Sequence, residues 1–510
     1  MLILRDLLVV LGILGIGFGV LILVIYLVLF RWPRFNDFWK SNRRRLFLRQ
    51  FIFYQSLGLS LLSVIIFLGP RFPSVMALED VTMDFVMDVF YREDIPPIED
   101  KIPPFVLLDI DDETIDSWGK PLFTPRNRLR NLIDAAVQAK ARLIVVDVDV
   151  SQSMGELTLQ PHDLELKKYL TEYVAKCQEN QSACPPIILV RAFSELPQFG
   201  SVVPLIPSTG FLEDVVTTES APYLQWGSAH FPVSHGTMRR WRLWEPTCKD
   251  KQPGMTPSIE LLVMGMIREC TEDIQNALHQ FQPQNCNGDE VSSPASVTFC
   301  DLTMSTSAYS VQRRIMFRIP WSEDSDVPEY PLSVSDNNGV PVLTIFSAQP
   351  YAELPPQANL DMLTDSIVVI GGSYGNADVH STPMGQMPGA LVIINAIHSL
   401  LQDITIKPMS VWKWLIIAAV FILVITLLSY FSECFKNSWW WKTRWWKYLW
   451  KILWGGVVIS IIGGLFYVSI VLFEDGIWLN IAIPLLIIEI YRAIYQRPRV
   501  KKFANRLISW

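Results

Sequence analysis

The chain has 510 residues, 50% hydrophobic and 18% charged, with a mean hydropathy of +0.27. This composition excludes an intrinsically disordered chain and argues against a purely water-soluble one. The formal net charge of −7 excludes a strongly basic nucleic-acid binder, so nucleic acid is not an expected partner.

In chain order, the first element is the apolar run Leu7–Phe30, which carries no charge and exceeds the roughly 20 residues that a membrane-spanning helix needs. It is too long for the core of a signal peptide and no small-x-small cleavage site follows, so it reads as a retained span. The link Arg31–Gln50 holds Arg31, Arg34, Lys40, Arg43, Arg44, Arg45 and Arg49 against the single acid Asp37. A second span is expected over Phe51–Gly69.

Residues 71–410 follow as one segment with 44 acids and 23 bases, a net −21, whereas the other 170 residues carry 20 bases and 6 acids, a net +14. Phe105–Asp111 is a short apolar run ending in acids and reads as a buried strand. Thr124 offers an N-cap and Pro125 a first helical position for an amphipathic helix to about Lys140, with Leu129, Leu132, Ile133, Ala136 and Val137 on one face. Arg142–Val150 reads as a second strand, which makes a right-handed β-α-β unit. Pro186–Arg191 and Ser366–Gly372 are two more expected strands, and a helix is expected from about Ala390 to Leu401. The expected fold is an α/β extracytoplasmic domain with a mainly parallel sheet, anchored by five transmembrane α-helices. Gly155–Pro185 and Arg268–Ala308 are polar, weakly periodic and expected to be irregular decorations.

Six of the seven cysteines lie in this segment, an even number suited to an oxidising exterior. Pairing of sequence neighbours (Cys177–Cys184, Cys248–Cys270, Cys286–Cys300) is preferred because each closes a short loop. A zinc site is the rival reading, but no C-x-x-C or H-x-x-x-H spacing supports it, so no metal and no cofactor is expected.

Three further spans are expected over Val411–Phe431, Ile452–Phe473 and Ile477 to about Tyr495, the last with Glu489 and Arg492 three apart and able to pair. The link Ser432–Lys451 holds five bases and one acid, Glu433, and the tail after Tyr495 holds five bases and no acid. The positive-inside rule then places all three basic segments in the cytoplasm, and the N-terminus and residues 71–410 outside a bacterial inner membrane. The expected organisation is a hairpin of spans over 1–70, the outer domain over 71–410, three spans over 411–495 and a basic cytoplasmic tail over 496–510. In the cytoplasmic link Trp439, Trp440, Trp441, Trp445, Trp446 and Trp450 alternate with Lys and Arg, which suits a helix lying on anionic lipid or a surface that docks a partner.

The ordered set of motifs resembles the CHASE sensory domain of the second type, the cyclase- and histidine-kinase-associated sensory extracellular domain. Leu78–Arg92 is similar to its acidic helix leaving the membrane, and Val106–Asp112 with Thr124-Pro125-Arg126 is similar to its first strand and following helix. Arg142–Val150 resembles its second strand. His235-Gly236-Thr237-Met238-Arg239-Arg240 resembles its Asp-Gly-x-x-Arg-Arg turn, with His235 in place of the acid. Ile367–Gly372, Thr382-Pro383-Met384-Gly385, Met387-Pro388-Gly389 and Asn395-Ala396 resemble its closing signatures, although Leu391 and Ile393 stand where polar residues are common. The resemblance covers about residues 74–495 and implies a sensory role. Members usually continue into an output domain, and none is expected in the roughly 15 residues after the last span.

Ligands of open parallel sheets bind beyond the carboxyl ends of the strands. Asp109, Asp111, Arg126, Asp147, Asp149, Asp378 and His380 are therefore the candidate ligand-binding residues. The acids could equally cap loops, pair with Arg126 and Arg128, or hold a cation, and strand alternation would put Asp147 and Asp149 on one face. No nucleophile elbow, H-E-x-x-H or kinase signature set is present, so no enzyme is expected. The leading expectation is a membrane sensor whose outer domain binds a ligand or protein and acts through a separate partner in the membrane or cytoplasm. The alternative is a scaffolding subunit of an envelope complex, and either can form homo-oligomers.

Overall fold

The computed structural model describes residues 73–93, 102–151, 159–180, 184–194, 204–283, 285–286, 295–307, 310–321, 341–376, 378–402, 406–410, 463, 466–473 and 476–479. They divide into two units, residues 87–406 and the flanking parts 1–86 and 407–510.

The larger unit is built on one six-stranded sheet. Its strands are β1 (Phe105–Ile110), β2 (Leu143–Val146), β3 (Ile187–Val190), β4 (Leu224–Gly227), β11 (Leu343–Ser347) and β12 (Ile367–Gly372), in the order β11-β1-β12-β2-β3-β4. Every neighbouring pair is parallel. All residues of β1 and β2 are buried, as expected when helices cover both faces of a parallel sheet. On one face Val106, Leu108, Ile144, Val146, Ile187, Val368 and Ile370 share a core with α3 (Arg126–Gln138) and α4 (Pro161–Asn180). Helix α1 (Pro73–Glu93) precedes this domain, and the short α2 (Asp112–Ser117) follows β1. The other face, with Leu107, Val145 and Val369, is covered by α7 (Gly389–Leu401), all thirteen residues of which are buried, Leu391 and Ile393 included. Helix α7 in turn packs on α5 (Ile259–Ile267).

Several expectations need correction. The second strand stops at Val146 instead of Val150: the Asp147 amide still bonds Ile370 of β12, and the chain then leaves the ladder. Pro125 and not Thr124 is the N-cap of α3, which has no side-chain cap. The stretch read as a decoration before Pro185 contains α4, a 20-residue helix whose Leu166, Leu170, Tyr173 and Val174 enter the core. Between Arg268 and Ala308 lie α6 (Thr271–His279) and the hairpin β9 (Ser296–Phe299) to β10 (Leu302–Ser305). Two further hairpins are β5 (Val233–Ser234) to β6 (Thr237–Met238) and β7 (Trp244–Lys249) to β8 (Gln252–Pro257). In all three the two turn residues have positive φ (His235 and Gly236, Asp250 and Lys251, Cys300 and Asp301), the type I′ geometry that matches strand twist.

The disulfide Cys177–Cys184 has the expected pairing. The other two are interleaved, Cys248–Cys286 and Cys270–Cys300, with Cα–Cα distances of 5.6 and 5.7 Å. Cys248 and Cys270 are separated by β8 and α5, and each bonds a cysteine that follows α6. Cys270–Cys300 ties the start of α6 to the β9–β10 turn, and Cys248–Cys286 ties β7 to the segment that follows α6.

Within the smaller unit, β15 (Lys407–Pro408) pairs in parallel with β16 (Ile477–Trp478). Trp478 Nε1 donates to Glu79 Oε1 at 3.0 Å, and Phe85 lies 5.2 Å from Phe466 between ring centroids. The fifth expected span therefore does not begin as a helix at Ile477, which is extended. No helix among the described residues is long and apolar enough to cross a membrane. The first three expected spans, nearly all of the fifth, most of the fourth and the Trp439–Trp450 link lie outside the described residues.

Candidate functional site

Strand order brings three distant positions to one level at the carboxyl end of the sheet. Asp109 on β1 is in register with Gly371 on β12, and the Asp147 amide donates to the Ile370 carbonyl at 2.8 Å from the other side. The two carboxylates thus flank Gly371 on the face covered by α7. Gly371 has no room for a side chain, since a Cβ there would stand 2.6 Å from the Ala390 Cβ. The sheet end and the first turn of α7 are in close contact for that reason.

The β-hairpin β13 (Val379–Thr382) to β14 (Gly385–Pro388) leads into α7. Its sequence signatures have local causes. Met384 N donates to Thr382 Oγ1 at 3.2 Å, and Gly385 adopts φ +106, a region that favours glycine. Gly389 opens α7 because a Cβ there would collide with the Asp378 carboxylate, which sits over the helix N-terminus. Asn395 accepts from the amides of Arg318 and Ile319 at 3.0 and 2.9 Å and donates to the Ile319 carbonyl, which pins that segment along α7.

Burial pushes Asp109 up to about 6 despite a 2.7 Å bond from Ser373 Oγ, and its Oδ1 is closed to water with no partner. Burial pushes Asp147 up to about 7, helped by the negative charge of Asp378, and its Oδ2 likewise lacks a partner. His380 bonds Asp378 at 2.8 Å, and that bond raises its pKa above the ordinary imidazole value. Asp147, Asp378 and His380 therefore form one electrostatic group at the head of α7, whereas Asp109, across Gly371, feels the charges of Asp111 and Asp112.

The remaining candidates are placed elsewhere. Asp111 caps α2 by accepting from Thr114 N at 2.7 Å. Asp149 is not on the face of Asp147, since the strand has already ended; its Oδ1 accepts from Ser151 N and Oγ at 2.8 and 2.6 Å. Arg126 donates to the Asp149 carbonyl at 2.9 Å and lies 3.7 Å from Asp163, a buried acid that sequence reasoning missed. Arg128 pairs with Glu353 and not with the strand-end acids. Among the described residues, no three His, Cys, Asp or Glu side chains are grouped to hold a metal ion.

Two further polar features were not legible in the sequence. Glu245 and Glu260 are buried near Arg242 and Arg313, with Arg242 Nε 2.7 Å from Glu245 and the Arg313 guanidinium 5.3 Å from the Trp244 ring centroid. Burial pushes Glu260 up to about 8 and Arg313 down to about 10. The Arg239-Arg240 motif adjoins this cluster, and Arg239 Nη1 closes its own turn by donating to the Ser234 carbonyl. A groove of about 400 Å³ lies at the β4 edge, between Trp226 and α6. Only the type I′ turn at His235-Gly236 and the N-cap Ser258, which accepts from Leu261 N, had a sequence signal.

No curated protein and no solved structure matches the chain. A family model described as the CHASE2 domain matches residues 59–431, which enclose the six-stranded sheet, the strand-end acids Asp109 and Asp147, and α7. The chain therefore belongs to the CHASE2 family of sensory domains.

Proposed function

We propose that the protein is a non-enzymatic sensor anchored in a bacterial inner membrane, with its N-terminus and residues 71–410 outside and its C-terminus in the cytoplasm. The single observation that carries this reading is the family match over 59–431, which overlays a segment of net −21 set between strongly basic flanks. The outer domain binds a ligand or protein and passes its state to a partner in the membrane or cytoplasm. Allostery of this kind requires an element that two states place differently. Helix α7 fits this role, since its head packs on Gly371, which Asp109 and Asp147 flank, and only residues 402–406 separate its last turn from the second structural unit in sequence.

The test has two arms. A membrane-impermeant maleimide on intact cells labels a cysteine introduced at exposed Glu219 and leaves Cys434 unlabelled until the membrane is permeabilised. Labelling of Cys434 in intact cells overturns the topology. Deleting residues 71–410 changes the cellular response of the partner pathway identified by co-purification. If deletion leaves every such response intact and a complex of fixed stoichiometry forms without ligand, the protein is a scaffolding subunit instead.

A further inference from the structure

Strand β4 ends the sheet, and the hydrogen bonds along it show which backbone groups face outward. Ile187 N donates to the Tyr223 carbonyl and Arg191 N to the Gly227 carbonyl, both at 2.8 Å, so Tyr223, Gln225 and Gly227 turn their backbone toward β3. Leu224 and Trp226 then turn theirs toward the open edge. Leu224 is satisfied locally: its N–H donates to the Ser220 carbonyl at 2.8 Å and its carbonyl accepts from Ser220 Oγ at 3.2 Å. Beyond Gly227 the edge is closed again, since Ser228 N donates to the Pro257 carbonyl and Ile259 N to the Ser228 carbonyl. Trp226 is left with an outward N–H and C=O that have no partner among the described residues.

The groove lies on this edge. Trp226 and Gln225 from opposite faces of β4 both line it, with Ala221, Met255 and Pro257 around them and Ile274 and Leu278 of α6 across. The Trp226 indole N–H is closed to solvent and has no hydrogen-bond partner. A buried donor of this kind costs free energy until an acceptor meets it. Its ring is held from behind by the Arg191 guanidinium, 4.8 Å from the centroid, which Glu213 fixes in turn. The far wall is held as well, because Cys270, the N-cap residue of α6, is bonded to Cys300. Among the described residues, the lining holds no Asp, Glu, Lys or Arg; its polar side chains are Thr217, Gln225, Thr271, Gln275, His279 and Gln282, a set that suits an uncharged ligand rich in hydrogen-bonding groups.

We propose that this groove binds a short uncharged peptide unit, which adds one residue to the open edge of β4 through the N–H and C=O of Trp226. One residue's donor and acceptor are open and its neighbours are closed, so the edge accepts a single residue and not a long strand. Gln275 and Gln282 can meet the ligand's remaining amide groups, and Ala221, Ile274 and Leu278 suit a small apolar side chain. Leu262 at the base of the groove belongs to α5, which packs on α7, so occupancy reaches the helix assigned above to signalling. The inference rests on the sensor reading for its biological meaning but not for its chemistry.

The test titrates the full detergent-solubilised chain with N-acetyl-L-alanine methylamide, followed by saturation-transfer NMR and by hydrogen exchange at the Trp226 amide. Binding protects that amide. The analogue methylated on the alanine nitrogen lacks the donor for the Trp226 carbonyl and binds at least about threefold more weakly. Free zwitterionic alanine does not bind. Ala221→Trp fills the groove from its rim and abolishes binding. Equal binding of the two methylamides, preference for the charged amino acid, or indifference to Ala221→Trp overturns the assignment, as does the absence of any binding. None of those outcomes touches the sensor reading, which stands or falls on deletion of the outer domain.

Discussion

Asp147 shows how much one residue's setting matters. Its carboxyl is raised to about 7 by burial and by Asp378, above the unfolded value of 3.8. Between those values the folded state holds more protons than the unfolded one, so this group's contribution to stability is complete below about pH 4 and is lost as pH rises through about 7. Asp147→Asn is expected to raise outer-domain stability at pH 8 by about 1–3 kcal/mol and to flatten its pH dependence between pH 5 and 8. Calorimetry of the solubilised chain across that range checks it; an unchanged slope would remove Asp147 from the account. His398 has the opposite sign. It is buried in the last turn of α7, edge-on to Phe105, with neither ring nitrogen bonded, and burial lowers its pKa from 6.5 to about 3. Its contribution is complete above pH 6.5 and lost as pH falls toward 3. His398→Leu is expected to stabilise the domain at pH 5 by about 1–2 kcal/mol, more than at pH 8. A larger effect at pH 8 would contradict a buried neutral imidazole.

At the scale of elements, two features join helices to the sheet. The first is the Asp378 carboxylate over Gly389. A Cβ at Gly389 would lie too close to Asp378, so Gly389→Ala must displace it and break its bond to His380. The expected result is a His380 pKa that falls, read by NMR titration of the imidazole, with a stability loss of about 1–3 kcal/mol. An unmoved titration would mean that another group holds His380. The second is the pair of interleaved disulfides. Cys248–Cys286 spans 38 residues and Cys177–Cys184 only 7. Replacing the first pair with serine is expected to cost about 3–4 kcal/mol and the second about 2, in the chain-entropy account. Thermal unfolding of both variants decides between them, and an equal loss would point to local strain or packing in place of loop closure.

For the whole molecule, the sequence was legible wherever a local pattern was strong. The runs around Phe105–Ile110, Leu143–Val146 and Ile367–Gly372 announced buried strands, and Gly389–Leu401 announced a helix, because short apolar runs between turn signals have few other ways to hide from water. The family and its sensory class were also carried by motifs that serve local geometry, such as the glycine at Gly385 and the crowded start at Gly389. Helix α4 was missed because its apolar residues are interrupted by half-buried Lys167 and exposed Lys168 and Glu172, and only the sheet beneath shows which side is buried. The acids after β1 and β2 could not be sorted from sequence, since Asp109 acquires its partner Ser373 from 264 positions away. What the sequence determined by itself was the parallel α/β class, the family and the opposition of an acidic segment to basic flanks. Only the tertiary structure decided the disulfide pairing, the separation of Asp147 from Asp149 and the open edge at Trp226. The physical reason is that composition and periodicity are properties of neighbours along the chain, whereas burial, hydrogen-bond satisfaction and cysteine pairing depend on which distant strands and helices become neighbours in space.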